Sequence, residues 1–153
     1  MNEADAKYLR RSFEVARRAV ERGNRPFGAV LVSAQGEVLL EDENTAVTER
    51  DCTGHAEINL IRKASPRVGP EVLARATLYA SCEPCAMCMG AIYWAGVGRL
   101  VFGLRTERLY ALWGVDPNDP PLMLPCRSVL PREQNRLIVI GPELEEEAAR
   151  VVV

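Results

Sequence analysis

Hydrophobic positions along this chain follow two periods, and the periods alternate. Between Asn2 and Arg22, the residues Leu9, Phe13, Ala16 and Val20 stand at spacings of four, three and four. That is one face of an amphipathic helix, and Gly23 closes it. The stretch FGAVLVSAQGEVLLEDEN then holds two short apolar runs hinged at AQGE, the pattern of a hairpin with strands over Gly28–Val32 and Val38–Glu43. TGHAEINLIRKA returns to helical spacing at Ile58, Leu60 and Ile61, and Pro66 to Pro70 break it. ATLYAS reads as a buried strand running into a new helix in CEPCAMCMGAIYWA, with Pro84 in its first turn, where a missing N–H costs nothing. GRLVFGL and NRLIVIG are two further strands, and PELEEEAARVV is a closing helix with acids in its first turn.

The predicted order is therefore α-β-β-α-β-α-β-irregular-β-α. Strands alternating with helices call for a layered α/β domain with helices on both sheet faces. The proline-rich stretch from about 105 to 132 lacks periodicity, and a loop that long in a compact domain is usually functional. No repeat, low-complexity tract or linker divides residues 1–153, so a single domain is expected.

Composition narrows the partners. The chain has 153 residues, 48% hydrophobic and 26% charged, with a formal net charge of −2. That balance gives no global attraction for nucleic acid or an anionic membrane. The polar start MNEADAKYLRR has no apolar core of a leader, and no run approaches the ~18 apolar residues needed to span a bilayer. A soluble, cytoplasmic protein is expected. The helix at the N-terminus carries Lys7, Arg10, Arg11, Arg17, Arg18 and Arg22, but acids are interspersed, which favours a solvated face over a nucleic-acid surface.

Three of the five cysteines, Cys82, Cys85 and Cys88, fall within seven residues, which in an intracellular chain favours metal or redox chemistry over disulfides. Cys85 and Cys88, at i and i+3, share one face of a first helical turn, where the positive end of the helix dipole favours thiolates. His55, the only histidine, supplies a third ligand. A catalytic zinc takes three protein ligands plus water, a structural one takes four. Glu57 lies two residues from His55, so both can address one metal only if His55 stands at the very start of its helix, with Thr53 and Gly54 forming the cap and loop. The rival is a closed Cys₃His site that includes Cys82 and makes the chain a zinc-stapled, catalytically silent interaction domain. That reading leaves Glu57 without a role.

Read in order, His55-Ala56-Glu57, a strand, then Pro84-Cys85-x-x-Cys88 is the signature of zinc nucleobase deaminases. The chain resembles the cytidine-deaminase superfamily from about Arg25 to Gly103, through RPFGAVLV, EDEN, TGHAEINLIRKA, TLYASCEPCAMCMGAIYWA and GRLVFG. SCEPC and GAIYWA look most like bacterial guanine deaminases, and GRLVFG is similar to tRNA adenosine deaminases. The resemblance implies a three-layer α/β/α sandwich around a five-stranded mixed sheet, assembled as a homodimer or larger oligomer. It implies one Zn2+ per subunit on His55, Cys85 and Cys88, with Glu57 shuttling protons. It further implies Asn44 hydrogen-bonded to the base or ribose, Phe27 packed on the ring, the Ala56 backbone N–H donated to substrate, and Trp94 in the stretch that shapes the pocket. From the residues alone, Phe27 and Trp94 read equally as core and Asn44 as a turn cap.

The resemblance leaves the substrate less defined. An acidic closing helix speaks against tRNA, although LRTERL and CRSVLPREQNR hold five arginines. Guanine deaminases carry an aromatic tail that this chain lacks and a mid-loop Asp, for which Asp116 and Asp119 are the candidates. Tyr110 and Trp113 either stack on the substrate or fold the loop. The expected substrate is a small amino heterocycle that is guanine-, cytosine- or triazine-like, with a flipped-out adenosine in tRNA as the alternative.

Overall fold

The computed structural model describes residues 1–153. Its elements are α1 (Glu3–Glu21), β1 (Gly28–Val32), β2 (Val38–Glu43), α2 (Ala56–Ala64), α3 (Pro70–Leu73), β3 (Thr77–Cys82), α4 (Ala86–Ala95), β4 (Arg99–Leu104), α5 (Thr106–Trp113), a 3₁₀ turn (Cys126–Val129), β5 (Ile138–Ile140) and α6 (Glu145–Val152). The five strands form one sheet in the order β2-β1-β3-β4-β5. β1 runs antiparallel to both β2 and β3, whereas β3, β4 and β5 are mutually parallel, so the sheet is mixed.

Alternation along the strands sorts side chains into two cores, as a pleated sheet requires. Ala29, Leu31, Leu78, Ala80, Leu100 and Phe102 join Leu60 and Ile61 of α2 and Met89 and Ile92 of α4 on one face. Val30, Val32, Tyr79 and Val101 join Leu9 and Phe13 of α1 and Val151 and Val152 of α6 on the other. The result is the expected three-layer α/β/α sandwich. Gly28 allows the close approach of α1, because a Cβ there would stand 2.5 Å from the Ala16 nitrogen and the Ser12 carbonyl oxygen.

Three local features depart from the sequence pattern. Residues 106–113 of the presumed irregular stretch form α5. Only Leu109 of that two-turn helix is buried, too little apolar surface to give a periodic signal. β5 spans three residues where seven were expected, because as the sheet's edge it pairs only with β4. α4 starts at Ala86, so Pro84 precedes the cap instead of occupying the first turn.

One polar cluster crosses the second core. Asp5, 1% exposed, accepts from Tyr79 Oη at 2.8 Å and takes both guanidinium nitrogens of Arg99 at 2.6 and 2.7 Å. The Arg99 hydrogen bonds hold the Asp5 carboxyl far below the usual carboxylate range, against its burial. A depressed carboxylate contributes stability above its unfolded pKa of about 3.9, and that contribution is lost as pH falls through its native value. Asp5→Asn strands Arg99 and should destabilise the fold by about 3 kcal/mol at pH 6. Urea unfolding should show that gap narrowing below about pH 4, and a variant as stable as the parent at pH 6 would remove this cluster from the account.

Candidate active site

α2 and α4 lie on the same sheet face, and both begin at the same end of the molecule. His55 caps α2 with extended backbone (φ −76°, ψ 150°), and Cys85 caps α4 in the same way (φ −71°, ψ 173°). His55 is thus not yet helical, so its side chain and that of Glu57, the second residue of α2, address one point. The Asp51 carboxylate, and not a cap from Thr53, organises the approach: it accepts from the Thr53 N–H at 2.9 Å and hydroxyl at 2.7 Å.

His55 Nδ1 lies 3.6 Å from Cys85 Sγ and 3.4 Å from Cys88 Sγ, and the three atoms lie within 4.8 Å of one another. Zinc bonds of about 2.3 Å to sulfur and about 2.0 Å to nitrogen, set at a tetrahedral angle, require an N–S edge of about 3.5 Å. The donor set therefore fits zinc in both chemistry and spacing. Cys82 lies outside this group, so the donors brought together number three and not the four of a closed Cys₃His site. Its thiol is buried and pushed up first by desolvation, then by the neighbouring Glu57 charge.

Protonation preferences divide between the two cysteines. The Cys85 thiol is brought down to about 4, first by a hydrogen bond from Cys88 and then, against burial, by His55. Cys88 moves up in return, because it is the donor in that contact. The hydrogen bond to Cys85 raises His55. Glu57 is 6% exposed, and burial pushes its carboxyl up. A carboxyl moved towards neutrality is suited to take up and return one proton.

A cavity of about 580 Å³ opens onto these groups. Phe27, Asn44 and Asp119 line it together with His55, Glu57 and Cys85. Asn44 is 1% exposed, and its Oδ1 accepts from the Ala46 N–H at 3.1 Å, leaving the amide nitrogen as its free donor. Ala56 is fully buried; the group it has to offer is its N–H, one of the first-turn donors without an intrahelical partner. Trp94 is not brought to the cavity. It is 83% exposed, because Ile92 faces the sheet and a residue two positions on points to the opposite side of α4. Trp113 stands behind the lining, its ring 5.7 Å from that of Phe27. Asp116 lies outside the cavity and holds the Asp119 turn through its carbonyl, which accepts from the Asp119 N–H at 3.1 Å.

Sequence reasoning passed over Arg25, Glu83 and Thr106, which also line the cavity. Glu83 in SCEPC was in view as motif only; burial raises its carboxyl, and the backbone N–H groups of Thr106 and Cys126 draw it back. Thr106 could not be placed before α5 was known.

Residues 2–104 match the model of the cytidine and deoxycytidylate deaminase zinc-binding region, which is more than half of the chain. A zinc-dependent deaminase is the class that this sandwich and donor set define, and the chain belongs to the cytidine and deoxycytidylate deaminase family. A probable cytosine deaminase of Schizosaccharomyces pombe is 38% identical over 151 residues, 97% of this chain and 90% of the relative. The guanine deaminase of Bacillus subtilis is 46% identical over 89 residues, 58% of this chain and 56% of the relative. A solved structure from work on tRNA:A34 deaminases superposes with a TM-score of 0.73 at 33% identity, covering 95% of this chain and 99% of that one.

Purified protein should hold one zinc per chain by elemental analysis. Cys82→Ser should keep that zinc and Cys88→Ala should lose it. Loss of zinc from the Cys82 variant would return Cys82 to the ligand set.

Proposed function

We propose that this enzyme removes the amino group of a small free nucleobase or a related heterocycle by hydrolysis, with cytosine-like and guanine-like rings first among the candidates. The observation that carries this reading is the placement of a buried, proton-hungry Glu57 beside an open three-donor metal site at the end of a cavity of about 580 Å³. When bound, zinc supplies the Lewis acidity that makes water a nucleophile near neutral pH. Glu57 takes the proton of the attacking water and gives it to the ring nitrogen beside the amine-bearing carbon, which becomes electrophilic. Glu57 then takes the remaining proton from the added hydroxyl and delivers it to the amino nitrogen, so the C–N bond breaks, ammonia leaves and a carbonyl remains on the ring. His55, Cys85 and Cys88 hold the metal, Asn44 donates its amide to the ring, Phe27 packs on it, and Ala56 offers its N–H.

Electrostatics favour a small substrate over tRNA. On α1, Arg10 pairs with Glu147 at 2.9 Å, Arg11 and Arg18 pair with Glu41 at 2.8 and 2.7 Å, and Arg22 pairs with Glu43. The two arginines of LRTERL are spent on α6, Arg105 on Glu145 at 2.8 Å and Arg108 on Glu146 at 2.8 Å. Arginines already paired to carboxylates offer little to phosphates. The near end-to-end likeness to a probable cytosine deaminase supports the same side. The second reading, inosine formation in tRNA, draws on the equally complete likeness to the tRNA:A34 deaminase structure.

No helix is long and apolar enough to cross a membrane, and a cytoplasmic enzyme is the setting we infer. A homodimer is the assembly we infer, because α4 leaves Met87 and Trp94, one face seven residues apart, 36% and 83% exposed.

The zinc-loaded chain should release ammonia from at least one member of a panel of free bases, nucleosides, triazines and tRNA. Glu57→Gln should retain zinc and lose about 10²- to 10⁴-fold or more in turnover. Near-normal turnover in that variant would contradict the assignment, and inosine in tRNA with silence on every small molecule would reverse the order of the two readings.

A further inference from the structure

Residues 115–124 form a strap between α5 and the 3₁₀ turn, and its Asp119 and Leu122 line the cavity. Leu109 before it and Cys126 after it are 6% and 1% exposed, and no residue between those two is buried. Pro117, Pro120 and Pro121 bring no backbone donor. The hydrogen bonds the strap does make run inside it. The Asp119 N–H donates to the Asp116 carbonyl at 3.1 Å, the Leu124 N–H to the Leu122 carbonyl at 3.0 Å, and the Asn118 N–H to the Asp116 carboxylate at 2.8 Å.

Both ends are fixed. The Trp113 indole N–H donates to the Val152 carbonyl at 2.7 Å, and Gly114 turns the chain out of α5 at φ 80°, ψ 172°, a backbone suited to glycine. At the far end Cys126 is buried as the 3₁₀ turn begins. Between those ends one polar contact reaches the rest of the protein: Arg25 Nη2 stands 3.7 Å from Asp119 Oδ2. Arg25, in the loop joining α1 to β1, lines the cavity too, so the pair ties two of its walls together. A segment with few buried contacts and no backbone bonds outside itself opens at low cost. An exposed ion pair shifts an equilibrium by about fivefold or less. That is too little to hold a core element, yet enough to bias a strap with no other polar tie.

We propose that Arg25 is a positioning residue: its ion pair with Asp119 holds the 115–124 strap in place as a wall of the cavity, and loss of the pair lets the strap swing outwards. The inference rests on the reading of this cavity as the substrate site. The prolines and the Asp116–Asp119 turn stiffen the strap, so it moves as a unit about Gly114. Arg25 acts through Asp119 and has no need to touch the substrate.

The test uses the full zinc-loaded chain and three variants, Arg25→Gln, Asp119→Asn and the double substitution. Chymotrypsin cutting after Leu122 and Met123, followed by mass spectrometry and normalised to an unstructured peptide, reads the strap without any substrate. At an ionic strength of about 0.01 M each single variant should be cut about two- to fivefold faster than the parent, and the double no faster than either single. Raising the ionic strength to about 1 M shortens the screening length from about 30 Å to about 3 Å and should bring the parent up to the rate of Arg25→Gln. On the base that the parent turns over, KM of Arg25→Gln should rise by the same factor, with zinc content and Tm unchanged. Equal cutting of parent and Arg25→Gln at low salt would overturn the inference, as would single-variant effects that multiply in the double. A parent silent on every base would overturn the small-base reading while the cutting rates still decide on the strap. An active parent whose cutting rate and KM are both matched by Arg25→Gln overturns the inference alone.

Discussion

His55 and Cys85 occupy the same position in two different helices: each is an N-cap with extended backbone, and their side chains meet at 3.6 Å. That meeting depends on α2 and α4 packing on one sheet face with their first turns at the same end, which Leu60 and Ile61 on one helix and Met89 and Ile92 on the other secure. Two helix starts bring unpaired N–H groups and positive dipole ends to one spot. The Cys85 thiol is lowered there by its contacts with Cys88 and His55, and Glu57 is buried beside them. The parallel pairing of β3 with β4 extends the sheet on the far side and sends the chain over the cavity as α5.

Function at this site is a division of labour between the two faces of the sandwich. The α2/α4 face holds the three metal-donor side chains and the buried Glu57. The opposite face supplies α1 and α6, and acids of α6 pair with Arg10, Arg105 and Arg108. Trp113, held to α6 by its indole, ties Phe27 of the cavity to that second face.

Much of this was legible in the chain because local rules and global fold agreed. The strands near 28–32 and 38–43 are legible in the sequence, since two short apolar runs and a turn signal coincide there. The metal triad was legible because a helix start is needed to bring His55 and Glu57 together, and TGHAE provides one. α5 was not, because two turns with one buried residue carry no periodic signal. Trp94 was placed by likeness to a motif, and the orientation of an aromatic on an all-apolar helix cannot be read from period when every face is apolar. Arg25, Glu83 and Thr106 come to the cavity through tertiary packing of loops, which no local pattern encodes.

The open metal site is the claim on which the chemistry turns, and zinc K-edge X-ray absorption of the purified protein tests it most directly. The account predicts two sulfur ligands and two nitrogen or oxygen ligands, one of them exchangeable with solvent. A third sulfur in the shell, with no exchangeable position, would contradict it.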